Sequence, residues 1–185
     1  MSITYRCKAL EKLGVKTLIN ASNWSTSIGG TYLEPEVTEA MVEASRVFCS
    51  VQEVLDKAGK RVAELCNVDA ACIVNSSAAG TVLVAAACIA GTDPKKWHKL
   101  PFTDEPPING RNQFLIQTNH TQNFDNCVAM AGGRLIKCGS AQGCTAQDVE
   151  VEINDKTVAI TAGYHYNTTP RGTISHEELL RIAKK

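Results

Sequence analysis

The sequence is most informative first through what it lacks. It has no excess of either charge: nineteen Lys and Arg stand against nineteen Asp and Glu, with no Lys/Arg cluster. A balanced chain of this kind offers no electrostatic footprint for nucleic acid or an anionic membrane, so neither is an expected partner. No run reaches the roughly 18 apolar residues of a bilayer span. The opening residues, Met1-Ser2-Ile3-Thr4-Tyr5-Arg6, are not a secretory signal, and a cytoplasmic protein is expected. The eight cysteines contain no Cys-x-x-Cys, and the pairs Cys66/Cys72 and Cys138/Cys144 each have five residues between them. That spacing argues against a thiol-metal site, and Cys72 and Cys88, inside apolar runs, read as small core residues. Neither a Gly-x-Gly-x-x-Gly nor a Walker pattern is present, so any phosphate site must be built another way.

What is present suits a real core: 185 residues, 44% of them hydrophobic. Residues 71–74 (Ala, Cys, Ile, Val) are a short apolar run of the kind that makes a buried strand. Residues 78–90 are almost wholly apolar, too long for a strand and closed by Gly91, which predicts a buried helix. Between them Asn75, Ser76 and Ser77 make a small, hydroxyl-rich turn. The helix that starts at Ala78 therefore presents bare backbone N–H groups, and its dipole puts about half a positive charge there, a seat for phosphate or carboxylate. Ser and Asn are also ordinary helix caps, so a capped helix that binds only water is the competing reading.

The rest of the chain alternates. A helical start leads into an extended run at 15–20, then a polar loop at 21–30 that ends in Gly29-Gly30 and suggests close backbone approach. Pro35 fits a first helical turn, and Val37, Met41, Ala44 and Phe48 recur at helical spacing; Val51, Leu55, Ala58, Val62 and Leu65 do the same. Both stripes are assigned to packing. Residues 92–112 form a Pro-containing connection in which Lys95, Lys96, Trp97 and His98 read as a solvated turn. Strands are expected at 113–117, 134–138 and 158–161, and short helices at 124–131 and from Thr145 to about residue 153. Thr145-Ala146-Gln147-Asp148 and Ser175-His176-Glu177-Glu178 both resemble capping boxes. Counting residues 71–74, strand and helix alternate four times, which predicts an α/β fold: a parallel sheet flanked by helices. Residues 1–68 form an N-terminal arm with two helices, and 69–185 the sheet-bearing part. Ligands of parallel sheets bind beyond the carboxyl ends of the strands, which singles out the loops at 75–80, 118–123 and 162–172. His120 and His165 lie in two of them.

These residues carry a resemblance. Ile19-Asn20-Ala21 followed by Ile28-Gly29-Gly30, then Glu34-Pro35-Glu36-Val37, Glu39-Ala40-Met41 and Glu43-Ala44-Ser45, is similar to the N-terminal region of the selenocysteine-synthase-like pyridoxal-phosphate enzymes. That group includes seryl-tRNA selenium transferase and the D-glucosaminate-6-phosphate ammonia-lyase type. Lys57-Ala58-Gly59, the segment from Ile73 to Ala79, Asn119-His120 and Met130-Ala131-Gly132-Gly133-Arg134-Leu135-Ile136 continue the match in collinear order.

The resemblance implies the large-domain fold of fold-type-I (aspartate aminotransferase superfamily) enzymes, with pyridoxal 5'-phosphate at a homodimer interface. Asn75, Ser76, Ser77 and Ala78 would hold the cofactor phosphate and His120 would stack on its ring. Asn20 and Thr26 would lie on the substrate side, and Arg171 would pair a substrate carboxylate or phosphate bidentately. The substrate would be a small amino acid or amino-sugar acid. Such enzymes run to roughly twice this length, and the Asp that bonds the pyridine nitrogen and the Lys that carries the cofactor match no residue here. The expectation is therefore an N-terminal portion with no catalytic residue of its own, inactive alone, that pairs with a complementary C-terminal half or forms a homo-oligomer. Two further readings stand beside it: a non-catalytic α/β module for a phosphorylated ligand, and an interaction remnant that pairs with a full-length relative.

Overall fold

The computed structural model describes residues 7–21, 25–163 and 171–185. The chain divides into two compact units, Met1–Ala70 and Ala71–Lys185.

The first unit holds α1 (Lys8–Lys12), a 3-10 turn at Thr26–Ile28, α2 (Pro35–Ala44) and α3 (Val51–Cys66). Pro35 opens α2 as its sequence position predicts, and Ser50 caps α3 by accepting the Glu53 N–H at 3.3 Å. Residues 15–20 form no strand. The apolar stripes are largely exposed among the described residues: Met41 is 60% exposed and Val51 70%, Phe48 lies past the end of α2, and on α3 only Gly59 and Ala63 are buried.

The second unit is a three-layer α/β arrangement. It contains α4 (Ser77–Ala90), α5 (Pro94–Trp97), β1 (Gln113–Gln117), α6 (Asn126–Met130), β2 (Arg134–Cys138), α7 (Ala146–Glu150), β3 (Thr157–Thr161) and α8 (His176–Ala183). The sheet order is β2-β1-β3, and both pairings are parallel. Side chains alternate between faces as the pleat requires. Phe114 and Leu135 join Ala85, Ile89, Val128 and Ala131 on the α4 and α6 face; Leu115 and Ile136 join Val149, Leu179 and Ile182 on the α7 and α8 face. A register irregularity beside Gln113 skips Val158, so Val158 and Ala159 both pack toward the Phe114 side.

Several expectations are corrected. Residues 71–74 are not a strand: among the described residues they belong to no ladder or bridge, and Ile73 and Val74 are each 37% exposed. Apolar, β-branched composition makes a strand only where a neighbour supplies ladder hydrogen bonds. Cys72 and Cys88 are exposed, whereas Cys127, Cys138 and Cys144 are buried. The connection at 92–112 contains a helical turn, capped by Asp93 through the Lys95 N–H at 2.9 Å. Thr145 and Asp148 do form a reciprocal capping box. At α8 only half the box exists: Ser175 Oγ accepts the Glu178 N–H, while the Glu178 carboxylate takes two bonds from Arg181.

Candidate functional site

Connectivity singles out one position in the sheet. The chain leaving β1 turns to α6 on the Phe114 face, and the chain leaving β3 turns to α8 on the Leu115 face. Neighbouring strands whose exits part to opposite faces leave a gap beyond their carboxyl ends, the topological switch point at which open α/β sheets take ligands.

The β1 exit is a 3-10 turn, Thr118–His120, that tucks His120 in until it is only 4% exposed. Thr118 Oγ1 fastens this turn to the β2 exit by donating to the carbonyls of Cys138 at 3.0 Å and Gly139 at 3.1 Å. Burial lowers the His120 pKa below the ordinary 6.5, which favours the neutral imidazole. The β3 exit comes close to the same turn at Gly163. A Cβ there would meet Gln122 Nε2 at 2.7 Å and the His120 carbonyl at 3.3 Å, so glycine is what lets the two exits touch.

Arg171 is exposed, and its backbone is clamped at this edge. Asn119 Nδ2 donates to the Arg171 carbonyl at 3.3 Å, Cys144 N–H to the Gly172 carbonyl at 2.8 Å, and Ile174 N–H to Gln117 Oε1 at 2.9 Å. The structure thus brings His120, Asn119, Gln122, Gly163 and the Arg171 backbone to one edge. Tyr164 to Pro170, including His165, lie outside the described residues.

Two buried polar atoms here, Gln117 Nε2 and Asn119 Oδ1, have no partner among the described residues. A buried polar group left unpaired costs about 1–3 kcal/mol, so such atoms mark places where a ligand or ordered water completes the bonding. Sequence reading passed over Gln117. Its signal is a polar residue ending an otherwise apolar strand.

The helix start at Ser77 is the second half of the candidate site. The C-terminal half of α4 packs among Ile108, Leu100 and Ala131, which precede or adjoin the amino ends of β1 and β2, so its first turn lies toward the carboxyl edge. The N–H groups are not all bare as expected: Ser76 Oγ accepts the Ala79 N–H at 3.2 Å and also bonds Asn75 Oδ1 at 3.4 Å. The N–H groups of Ser77 and Ala78 keep no bond within the helix start. Asn75, Ser76 and Ser77 are exposed and Ala78 is half-buried.

Asn20 and Thr26 belong to the first unit, and both are exposed. Ser22, Asn23 and Trp24 lie outside the described residues. A Cβ added at Gly29 or Gly30 meets nothing within 4 Å among the described residues, so no close packing calls for glycine there. Their φ values of 98° and 81° explain them instead, because the turn needs left-handed backbone.

Comparison with known proteins extends this picture. No protein-family model matches the chain. It is 29% identical over 183 residues to a 5'-C-glycyluridine monooxygenase-decarboxylase from a Streptomyces species, spanning 95% of this chain and 44% of that protein. It is 24% identical over 178 residues to D-glucosaminate-6-phosphate ammonia lyase of Salmonella typhimurium, spanning 94% of this chain and 47% of the relative. A solved D-glucosaminate-6-phosphate ammonia-lyase superposes with a TM-score of 0.85 at 23% identity over 97% of this chain and 49% of its own. The resemblance seen in the sequence therefore holds along nearly the whole chain, and so does the fold; the chain spans about half the length of the curated relatives it matches.

Proposed function

We propose that this chain is the N-terminal portion of a pyridoxal-phosphate-dependent lyase or transferase acting on a small amino acid or amino-sugar acid, cytoplasmic and inactive by itself. The observation that carries the reading is the switch point between the β1 and β3 exits, where a buried His120 follows the unpaired polar atoms of Gln117 and Asn119 in the chain. These residues fit such a cofactor. When bound, pyridoxal phosphate supplies an electron sink for bonds broken at the carbon next to the substrate amine.

The chain's own groups would divide the remaining work. The free N–H groups of Ser77 and Ala78 donate to phosphate oxygens, while Ser76 Oγ and Asn75 hold the turn that exposes them. The imidazole of His120 would offer a flat ring for stacking. Arg171 supplies a fork for a substrate carboxylate or phosphate, and Asn20 and Thr26 contribute on the substrate side. The eight free cysteines agree with a reducing compartment. The half-length match to the relatives supports dependence on further polypeptide. The exposed apolar stripes of α2 and α3 support a homo-oligomer.

Equilibrium dialysis of the chain against pyridoxal 5'-phosphate tests the reading. Binding that falls at least about tenfold in Ser77→Pro, which removes one N–H while suiting a first helical turn, is the expected result. Binding unchanged by that substitution rejects the phosphate seat. A tighter response to inorganic phosphate than to the cofactor favours the alternative, a non-catalytic module for phosphorylated ligands.

A further inference from the structure

Two thiols that the cofactor reading does not use lie together under the carboxyl edge of the sheet. Cys138 ends β2, Cys144 immediately precedes the Thr145 cap of α7, and both are buried in one cluster with Leu115, Val149 and Leu179. The chain between them is a tight turn. Ser140 N–H donates to the Gly143 carbonyl at 2.8 Å and Gly143 N–H returns to the Ser140 carbonyl at 3.3 Å, which closes an antiparallel bridge. That bridge sets Gly139 against Cys144. A Cβ on Gly139 would lie 2.8 Å from the Cys144 Cα and 2.9 Å from its Cβ, an approach that only glycine permits. Cys138 stands one residue from this contact, a step of about 3.8 Å, which brings the pair into the Cα separation of roughly 4.4–6.8 Å that a disulfide spans. Burial first, then Cys144 and Glu152, raises the Cys138 pKa, so the two sulfurs sense each other.

The same turn is tied to the site edge. Thr118 Oγ1 donates to the carbonyls of Cys138 and Gly139, and Cys144 N–H donates to the Gly172 carbonyl at 2.8 Å. Gly143 and Gly172 touch through their backbones: a Cβ on Gly172 would lie 2.7 Å from the Gln142 carbonyl oxygen and 3.0 Å from the Gly143 Cα. Whatever fixes the turn therefore also fixes the backbone beside Arg171. A cleft of about 430 Å³ opens on the turn, lined by Cys138, Gly139, Gly143, Asp148 and Glu152 among others. Its carboxylates repel an anionic thiol reagent, whereas a small neutral oxidant meets no such barrier.

We propose that Cys138 and Cys144 are a redox pair that closes to a disulfide under hydrogen peroxide and so stiffens the turn that holds the Arg171 segment. The Cys138 sulfur bonds to one peroxide oxygen as the O–O bond breaks, and the other oxygen leaves as water. The Cys144 sulfur then attacks the Cys138 sulfur, the S–O bond breaks, and that oxygen leaves as the second water. Two thiols lose two protons and two electrons, and the peroxide is reduced to two waters. Both thiols have raised pKa values and are little ionised at neutral pH, so the pair answers to sustained oxidant rather than to a brief pulse. No step involves the cofactor, so the redox pair and the proposed function fail independently.

The test caps the exposed thiols of the full 185-residue chain with iodoacetamide, adds hydrogen peroxide, and maps tryptic peptides by mass spectrometry. Peptide 138–156, which holds both cysteines, should become lighter by two hydrogens and recover its mass with a phosphine reductant. Cys127, on α6 across the sheet, should remain a thiol. Brief trypsin treatment of the oxidised native chain should cut after the exposed Arg171 at least about tenfold more slowly than in the reduced chain. Cys144→Ser should make that cleavage indifferent to peroxide. Thiols that persist at both positions, sulfinic acid in place of the bridge, or a bridge from either to Cys127 overturns the pair. A disulfide that leaves cleavage at Arg171 unchanged, or slowing that persists in Cys144→Ser, overturns the link to the site edge.

Discussion

The backbone N–H of Ile174 donates to Gln117 Oε1 at 2.9 Å, joining the last residue of β1 to the segment that leads into α8. Gln117 is 1% exposed, so this bond has no competition from water. Replacing Gln117 with Leu keeps the volume and leaves the Ile174 N–H buried and unpaired, but also removes the unpaired Nε2, so the net destabilisation should be about 1 kcal/mol or less. Urea denaturation measures that loss. Limited proteolysis should show earlier cleavage around Arg171, whose loop loses one of its clamps.

The buried imidazole makes stability depend on pH with a definite sign. His120 binds its proton less readily in the folded chain than at the ordinary 6.5, so the unfolded chain is protonated first as the pH falls. The contribution is fully present above 6.5 and is lost as the pH drops through that value toward the lower folded pKa. The urea midpoint should therefore fall between pH 7 and pH 5, and His120→Gln should flatten that slope. An equal slope in the variant would assign it to other groups.

Thiol chemistry should separate the cysteines into two sets. Cys7, Cys49, Cys66, Cys72 and Cys88 are exposed, and Cys127, Cys138 and Cys144 are buried. Burial above all, with the neighbouring Cys144 and Glu152 adding to it, pushes the Cys138 thiol up to about 11, and burial raises Cys144 as well. At pH 8 the native chain should give five prompt thiols with Ellman's reagent, Cys88 the slowest because partial burial raises its pKa. The remaining three should appear only in denaturant. Prompt reaction of all eight would mean that both the α6 and the α7 side of the sheet are open in solution.

The uncovered stripes of the first unit predict self-association. Val37 and Met41 on α2 are 46% and 60% exposed, and Val51 and Leu65 on α3 are 70% and 69% exposed. Contiguous apolar surface of this kind marks an interaction site. Sedimentation velocity should show mass rising with concentration, and Met41→Lys should shift the chain toward monomer. A monomer at every concentration would remove the homo-oligomer from consideration.

Much of the local structure was legible in the residues themselves. Hydrophobic period and cap chemistry act within a few positions, which is why Pro35, Thr145 with Asp148, and Gly91 mark helix ends where the chain has them. The runs at 113–117 and 134–138 are strands as read, and β3 starts one residue earlier than expected. The collinear motifs from Ile19 to Ile136 pointed to the ammonia-lyase type that comparison then found among the relatives.

Other features depend on partners distant in sequence. Whether residues 71–74 become a strand depends on a neighbour that supplies a ladder, and whether Cys72 or Cys138 is inside depends on which helices cover which face. Gln117 and Gly163 gain their roles only when β1 and β3 lie side by side, 46 positions apart at the Leu115 to Thr161 bond. Sequence by itself settled most of the helices, three of the strands and the resemblance, because those rest on local propensity and on order along the chain. Tertiary structure alone decided the switch point and the sheet order, because both arise from long-range strand pairing and from the face on which each connection crosses.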